Sequence, residues 1–405
     1  MSGLPGHHIA FVCAENGFDI NNRTSAVGSM MFSVIELLRR RFHVSVNGAP
    51  FAPEKAETPA PRRQACARGS LQEVGLRVAR RLVPRHAKLR IREEINERYR
   101  RALLRRLMAA HPRPAAVFEL YKYGSIIGHA LAREHGVPLV VYYDAPEVEQ
   151  FRDIQGAAPP RGARALARQD ATVRAAAAVV AYSEPIRSHI QRQHRIAPER
   201  IEVFQTLDYS RLTGPARVLR HGPPTIGYVG SYMPWHNLPL LVRAFEALRS
   251  RGHAARLLLV GDGLAWDEVA RTVGASAFRR DIEMAGFADG DELVRHKARI
   301  DVAVLPGTRW YNLPTKIFEY GAAGTAAIAP RSPTVESMFR DGQDLLLFEE
   351  GNLGSLTECL SLLVKEAPAR VRLGANLQEL VTARHTSAHA ERFYSNLFDR
   401  LCVVS

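Results

Sequence analysis

No stretch of this sequence is apolar for 18 residues, and its run of small apolar side chains at 175–181 is far too short to cross a bilayer, so no helical membrane span is expected. Residues 1–9 lack a basic segment leading into an apolar one, so no signal peptide is expected either. Cysteine is scarce. Cys13, Cys66, Cys359 and Cys402 lie far apart without a Cys-x-x-Cys spacing, which points to buried free thiols in a reducing, cytoplasmic compartment. Metal chemistry has little footing: there is no Asp-x-Asp in a suitable loop and no histidine cluster with ligand spacing. The sequence also lacks a repeat of fixed period, a zinc spacing and an aromatic-rich RNA-binding motif, so no nucleic-acid partner is expected.

What is present is ordinary in bulk and uneven in charge. With 46% apolar and 24% charged residues, the chain reads as soluble and well packed, and 405 residues favour two domains over one. The net charge of +14 is concentrated: residues 62–113 hold 16 Arg or Lys against 4 Asp or Glu, a balance of +12. Within that segment Ile91, Ile95, Tyr99, Ala102, Leu103 and Leu107 recur every three or four residues. This spacing predicts an amphipathic helix within 73–108 whose outer face is basic. Such a helix is either a solvated surface element or one that leans on an anionic membrane surface or an acidic acceptor.

Short apolar runs alternate with amphipathic stretches, the pattern of an α/β protein with parallel sheets. Strands are expected at 9–13, 42–46, 116–119, 139–143, 179–181 and 201–204, with a helix at 27–41 and a mobile, proline-rich loop at 51–63. Pro215, Gly222, Pro223 and Pro224 mark a linker at 214–224. A second series follows, with strands at 225–229, 255–260, 282–284, 302–305 and 326–329. The expected organisation is a first Rossmann-like domain at 1–213, the linker, a second domain at 225–383, and a last helix within 384–405 that packs back on the first domain. Ligands of such sheets sit at the carboxyl ends of the strands, so a cleft between the domains is the expected site.

Two segments of the second half carry chemistry. The stretch Gly227-Tyr-Val-Gly230-Ser231-Tyr-Met-Pro-Trp-His236 ends a strand and leads into a helix at 240–248; glycine at 230 lets a ligand approach the backbone, and the following amides suit a phosphate. Gly261 and Gly263 repeat the arrangement after the next strand. The segment from Tyr311 to Ala329 opens a helix with Pro314 and Thr315 and places Lys316 and Glu319 three residues apart on neighbouring parts of one face. There Lys316 would meet an anionic diphosphate while Glu319 accepts hydroxyl hydrogen bonds from a ribose or sugar.

The stretches at 227–245, 258–263, 286–305 and 314–329 together resemble the donor domain of retaining GT-B glycosyltransferases (group 1), which include many bacterial lipopolysaccharide and mannosyl transferases. More loosely, Val117-Phe-Glu119-Leu-Tyr121, the segment 137–146 with Asp144, and the segments 179–184 and 203–208 are similar to that family's first domain. The resemblance implies two Rossmann-like domains facing a central cleft. It also implies transfer of a sugar from a nucleotide-sugar donor to a glycan or lipid-linked acceptor with retention of configuration, in cell-surface polysaccharide synthesis. The departing phosphate would take the acceptor proton, so no cofactor and no metal are expected. The protein would be cytoplasmic or peripheral on the inner face of the plasma membrane, held through 62–113.

Carried onto this sequence, the resemblance implies catalytic roles for Glu319, Lys316 and Asp144, and donor binding by Gly230, Ser231, His236, Gly261, Gly263, Arg309, Tyr311, Pro314 and Thr315. On the acceptor side it implies Asp144, with Glu119 and Gly28. The sequence departs from the family pattern in four places. The first of two glutamates spaced by eight falls on Tyr311, which would stack on or hydrogen-bond a sugar. The phosphate-binding Arg and Lys fall on Ser231 and His236, and a histidine of the first domain falls on Asp144. A sugar-nucleotide epimerase of the same fold and a non-catalytic scaffold binding polyanions or membranes are the competing readings.

Overall fold

The structure, a computed structural model, describes residues 7–16, 20, 26–51, 84–110, 112–205 and 222–402. Most of the expected linker, the loop beyond residue 51 and the basic segment up to residue 83 lie outside the described residues. The chain divides into two compact units, Met1–Tyr182 with Ile186–Phe204 and Glu391–Ser405, and Ser183–Pro185 with Gln205–Ala390.

The first unit is built on strands β1 (His8–Cys13), β2 (His43–Val46), β3 (Ala49–Pro50), β4 (Ala116–Leu120), β5 (Leu139–Tyr142), β6 (Ala178–Ala181) and β7 (Ile201–Val203). They lie in the order β3-β2-β1-β4-β5-β6-β7, parallel throughout except for the β2–β3 hairpin. Every residue of β1, β4, β5 and β6 is buried, as expected of parallel strands covered by helices on both faces. The short β3 goes beyond the expected strands. It is made by the two-residue turn Asn47-Gly48, both at positive φ (49° and 82°), a hairpin signal readable in the sequence.

The second unit carries β8 (Thr225–Val229), β9 (Arg256–Val260), β10 (Ile282–Gly286), β11 (Val302–Val304), β12 (Ala326–Pro330) and β13 (Leu346–Phe348), in the all-parallel order β10-β9-β8-β11-β12-β13. This is the doubly wound order, whose winding reverses between β8 and β11; the first sheet reverses in the same way between β1 and β4. β13 extends the sheet past the last expected strand. In the last helix, Ser387–Cys402, Tyr394, Leu397 and Phe398 are buried at helical spacing. Phe398 meets Phe118 of β4 edge-on at 5.7 Å and Phe393 stacks on Phe204 at 4.0 Å, so from Glu391 onward the helix completes the first unit's core.

The basic segment forms the helix Arg85–Met108, but its inward face differs from the expected one. Leu103 and Leu107 are buried, whereas Ile91 and Ile95 are 56% and 49% exposed. The inward stripe runs Glu93, Glu97, Arg100, Leu103, Leu107, a spacing of three or four residues displaced from the apolar one. Ion pairing makes the charged half tolerable: Arg100 bridges Glu93 (3.3 Å) and Glu97 (2.8 Å), and Arg168 pairs with Glu97 from the helix Gly162–Ala175. Among the described residues no helix is long and apolar enough to cross a membrane.

Candidate functional site

In the second unit the side chains singled out from sequence gather at the carboxyl ends of β8 and β11, beside the switch point. β8 ends at Val229, and the chain turns through Gly230 at a φ of 142°. Lys316, in the first turn of the helix Thr315–Ala322, lies directly across that glycine: a Cβ at 230 would stand 2.2 Å from the lysine Cε. A side chain at that φ would be strained, and the end of the lysine fills the space its Cβ would take.

The Lys316 ammonium is 3.2 Å from Nε2 of His236 and 5.7 Å from the centre of the Tyr228 ring. His236 is buried, with Nδ1 3.0 Å from the carbonyl of Gly307. The second contact makes Nδ1 the protonated nitrogen and leaves Nε2 to accept from the lysine. Burial, reinforced by the neighbouring ammonium, pushes the His236 pKa down to about 3, so the ring is neutral. His236 therefore adds no positive charge to the site and orients the cation instead. Burial likewise lowers Lys316 to about 8, against the upward pull of Glu319.

Several further expectations need revision. The Gly230 amide donates to the Val260 carbonyl (3.0 Å) and the Tyr232 amide to Asp262 (2.8 Å), so neither faces a ligand. The exposed Ser231 lies between them. Gly261 and Gly263 are glycines for packing, since a Cβ on the first would stand 1.9 Å from the Gly230 carbonyl oxygen and on the second 2.8 Å from the Tyr232 nitrogen. They let one loop lie on the other. Tyr311 is buried, edge-on to Trp310 at 5.7 Å, so its ring has no face to offer a sugar. Pro314 precedes the helix without a side-chain cap, the Thr315 amide donates to Leu313 (2.8 Å), and Arg309 is exposed and acts electrostatically on Glu350. Glu319 is in place one turn beyond Lys316, but it carries a partner that the sequence did not suggest: Lys297, of the helix Gly290–Arg299, at 2.6 Å.

In the first unit Asp144, two residues past β5, is ion-paired at 2.8 Å with Lys122, which lies two residues past β4. Glu147 opens the helix Glu147–Gln155 and stands 3.9 Å from the same ammonium. Burial raises the Glu147 pKa to about 8, partly offset by Lys122. Burial also works to lower Lys122, but Asp144 and Glu147 outweigh it and hold the ammonium above the ordinary lysine value.

Lys122 and Glu147 were missed in the sequence although they adjoin segments noted there, because one lysine beyond a strand and one glutamate opening a helix are unremarkable singly. Glu119, expected to face an acceptor, is fully buried. The Ser125 hydroxyl donates to its Oε1 at 2.5 Å, and Gly128 packs so close that a Cβ there would stand 2.4 Å from Oε2. Burial pushes its pKa up to about 7 against the Ser125 hydrogen bond. Glu119 therefore braces the start of the helix Ile127–His135 and is out of reach of an acceptor. Gly28 is buried in the helix Ala26–Leu38. Among the described residues no group of three or more His, Cys, Asp and Glu could hold a metal ion.

Two family matches divide the chain between them. The family described as glycosyl transferase 4-like domain matches residues 26–206, and the one described as glycosyl transferases group 1 matches residues 223–366. Alpha-D-kanosaminyltransferase of Streptomyces kanamyceticus is 22% identical over 229 residues, 54% of this chain; the match spans 59% of that relative's length. Among solved structures, HepE of Anabaena in complex with UDP-glucose aligns with 97% of this chain and 100% of its own (TM-score 0.67, 14% identity). Sucrose-phosphate synthase of Thermosynechococcus elongatus aligns over 98% and 100% (TM-score 0.69, 16% identity), and a glycosyltransferase of Rickettsia africae over 98% of each chain (TM-score 0.63, 13% identity). With a family match on each half and the GT-B fold along its whole length, this chain belongs to the group 1 glycosyl transferases.

Proposed function

We propose that this protein transfers a sugar from a nucleoside-diphosphate sugar to a hydroxyl of a glycan or lipid-linked acceptor, with retention of configuration, in the synthesis of a cell-surface polysaccharide. The observation that carries the reading is Lys316, a partly desolvated ammonium laid across Gly230 at the carboxyl end of β8 and steadied by a neutral histidine. A fixed cation in a site of low polarity stabilises the charge that grows on a departing diphosphate. Glu319 would accept hydrogen bonds from the ribose diol and Asp144 would orient the acceptor hydroxyl. The bond from the anomeric carbon to the diphosphate breaks as the acceptor oxygen bonds to the same face of the sugar, and the hydroxyl proton leaves on the departing phosphate. Retention, the acceptor class and the polysaccharide role rest on the resemblance to the family. The complexes of HepE with UDP and UDP-glucose make UDP-sugars the first donors to try.

Lys316→Ala and Glu319→Ala variants with native thermal melting should lose turnover of a nucleotide sugar that stabilises the wild-type protein. Full turnover in both would refute the reading. Release of an altered nucleotide sugar without any acceptor would favour the epimerase instead.

A second proposal concerns the helix Arg85–Met108. Its exposed face carries Ile91 and Ile95 together with Arg92, Arg98, Arg101, Arg105 and Arg106, a composition suited to the anionic inner face of a membrane, where a lipid-linked acceptor would lie.

A further inference from the structure

We propose that Lys122 is a positioning residue of the acceptor side, its ammonium holding the carboxyl groups of Asp144 and Glu147 in the one arrangement from which Asp144 receives the acceptor hydroxyl. This rests on the reading of Asp144 given above and extends it to two side chains that the family resemblance did not supply.

Three separate elements deliver the group: the chain just beyond β4, the chain just beyond β5, and the first residue of the helix Glu147–Gln155. All three lie at the carboxyl ends of the strands, where this class of sheet binds ligands. The side chains are deeply set, at 16% exposure for Lys122, 12% for Asp144 and 8% for Glu147. Two carboxyl groups so placed cannot both ionise unless a cation stands between them. Lys122 stands there, hydrogen-bonded to Oδ2 of Asp144 at 2.8 Å and 3.9 Å from Oε1 of Glu147.

Oε1 of Glu147 is buried and has no hydrogen-bond partner among the described residues. Lys122, at 3.9 Å, is the cation that faces this oxygen. The neighbouring titratable groups cannot replace the lysine. Cys13 and Glu15 act from the end of β1, Glu119, Tyr121 and Tyr123 from β4 and beyond it, Tyr143 from β5, and Glu149 from the same helix as Glu147; the one cation acting on these neighbours, Arg100, is engaged with Glu93 and Glu97. Near neutrality Glu147 retains its proton while Asp144 faces the ammonium.

The test is the pH profile of UDP-glucose hydrolysis by the full chain, in which water takes the acceptor's place, measured beside thermal melting. In Lys122→Met the cation facing Asp144 is lost, so the acid limb of the profile should move up by at least one pH unit and the rate at pH 7 should fall tenfold or more. Lys122→Arg should recover most of the rate and keep the acid limb near its wild-type position. If Lys122→Met melts as the wild type does and its profile has not moved, the inference is overturned. Should that variant fail to fold, Lys122→Gln decides by the same criterion: the acid limb should move up, and an unmoved one overturns the inference. Full activity in Asp144→Asn would instead defeat the underlying reading. An inactive Asp144→Asn beside an unmoved Lys122→Met profile would defeat the role of Lys122 alone.

Discussion

The Nζ of Lys316 and the Nε2 of His236 face each other at 3.2 Å, 80 positions apart in the chain. Where the family pattern that the sequence resembles would place a lysine, this chain has a neutral ring that accepts from Lys316. Two full charges at that separation would repel strongly in a site shielded from water. His236→Gln retains an acceptor for the lysine and a donor for the Gly307 carbonyl, so its kcat/KM for the donor should fall only a few-fold. His236→Leu removes both and should cost about 2 kcal/mol of transition-state binding, roughly thirtyfold in kcat/KM. Equal rates for wild type and His236→Leu would disprove the orienting role.

The pH dependence of donor binding follows from the same pair. With Lys316 at about 8, the free protein loses its ammonium above that pH, and calorimetry should show donor affinity falling toward tenfold per pH unit beyond it. His236, at about 3, should contribute no inflection between pH 5 and 8. Stability moves the other way. Between pH 8 and 10.5 the unfolded chain binds more protons at this lysine than the folded one, so its contribution makes stability rise with pH.

Glu119 offers a stability test away from the chemistry. Its folded pKa of about 7 exceeds the reference 4.5, so across that interval the folded state holds the extra proton and the group's contribution to stability is lost as pH rises. Glu119→Gln keeps an oxygen for Ser125 and cannot ionise. It should be nearly neutral at pH 5 and stabilising by up to about 3 kcal/mol at pH 8.5, read from denaturant midpoints at the two pH values.

The membrane proposal predicts that neutralising Arg98, Arg101 and Arg105 abolishes sedimentation with anionic vesicles at low salt. Ile91→Ser with Ile95→Ser should weaken the binding that persists at higher salt, where screening leaves apolar insertion as the main attraction. Binding unaffected by the arginine changes would remove the proposal without touching the donor site.

Much of the architecture was legible because it is written in local periodicity. The apolar runs that became β1, β4, β5 and β8, and the turn glycine at 230 followed by a helix, announce themselves within a dozen residues. The helix Arg85–Met108 misled because its inward stripe begins with charged residues, which no hydrophobic pattern selects. The positions of Lys316 and Glu319 on one helix face were likewise readable from their spacing alone.

What only the tertiary structure decided is which charges meet. Lys297 reaches Glu319, and Lys122 reaches Asp144, each across 22 residues of intervening chain, because two elements pack in one particular register. Whether His236 and Glu119 carry charge depends equally on how much water the finished fold leaves around them. Sequence fixes residue type and local geometry, whereas the electrostatics of a site depends on distances and solvent exclusion, which exist only once distant segments have packed.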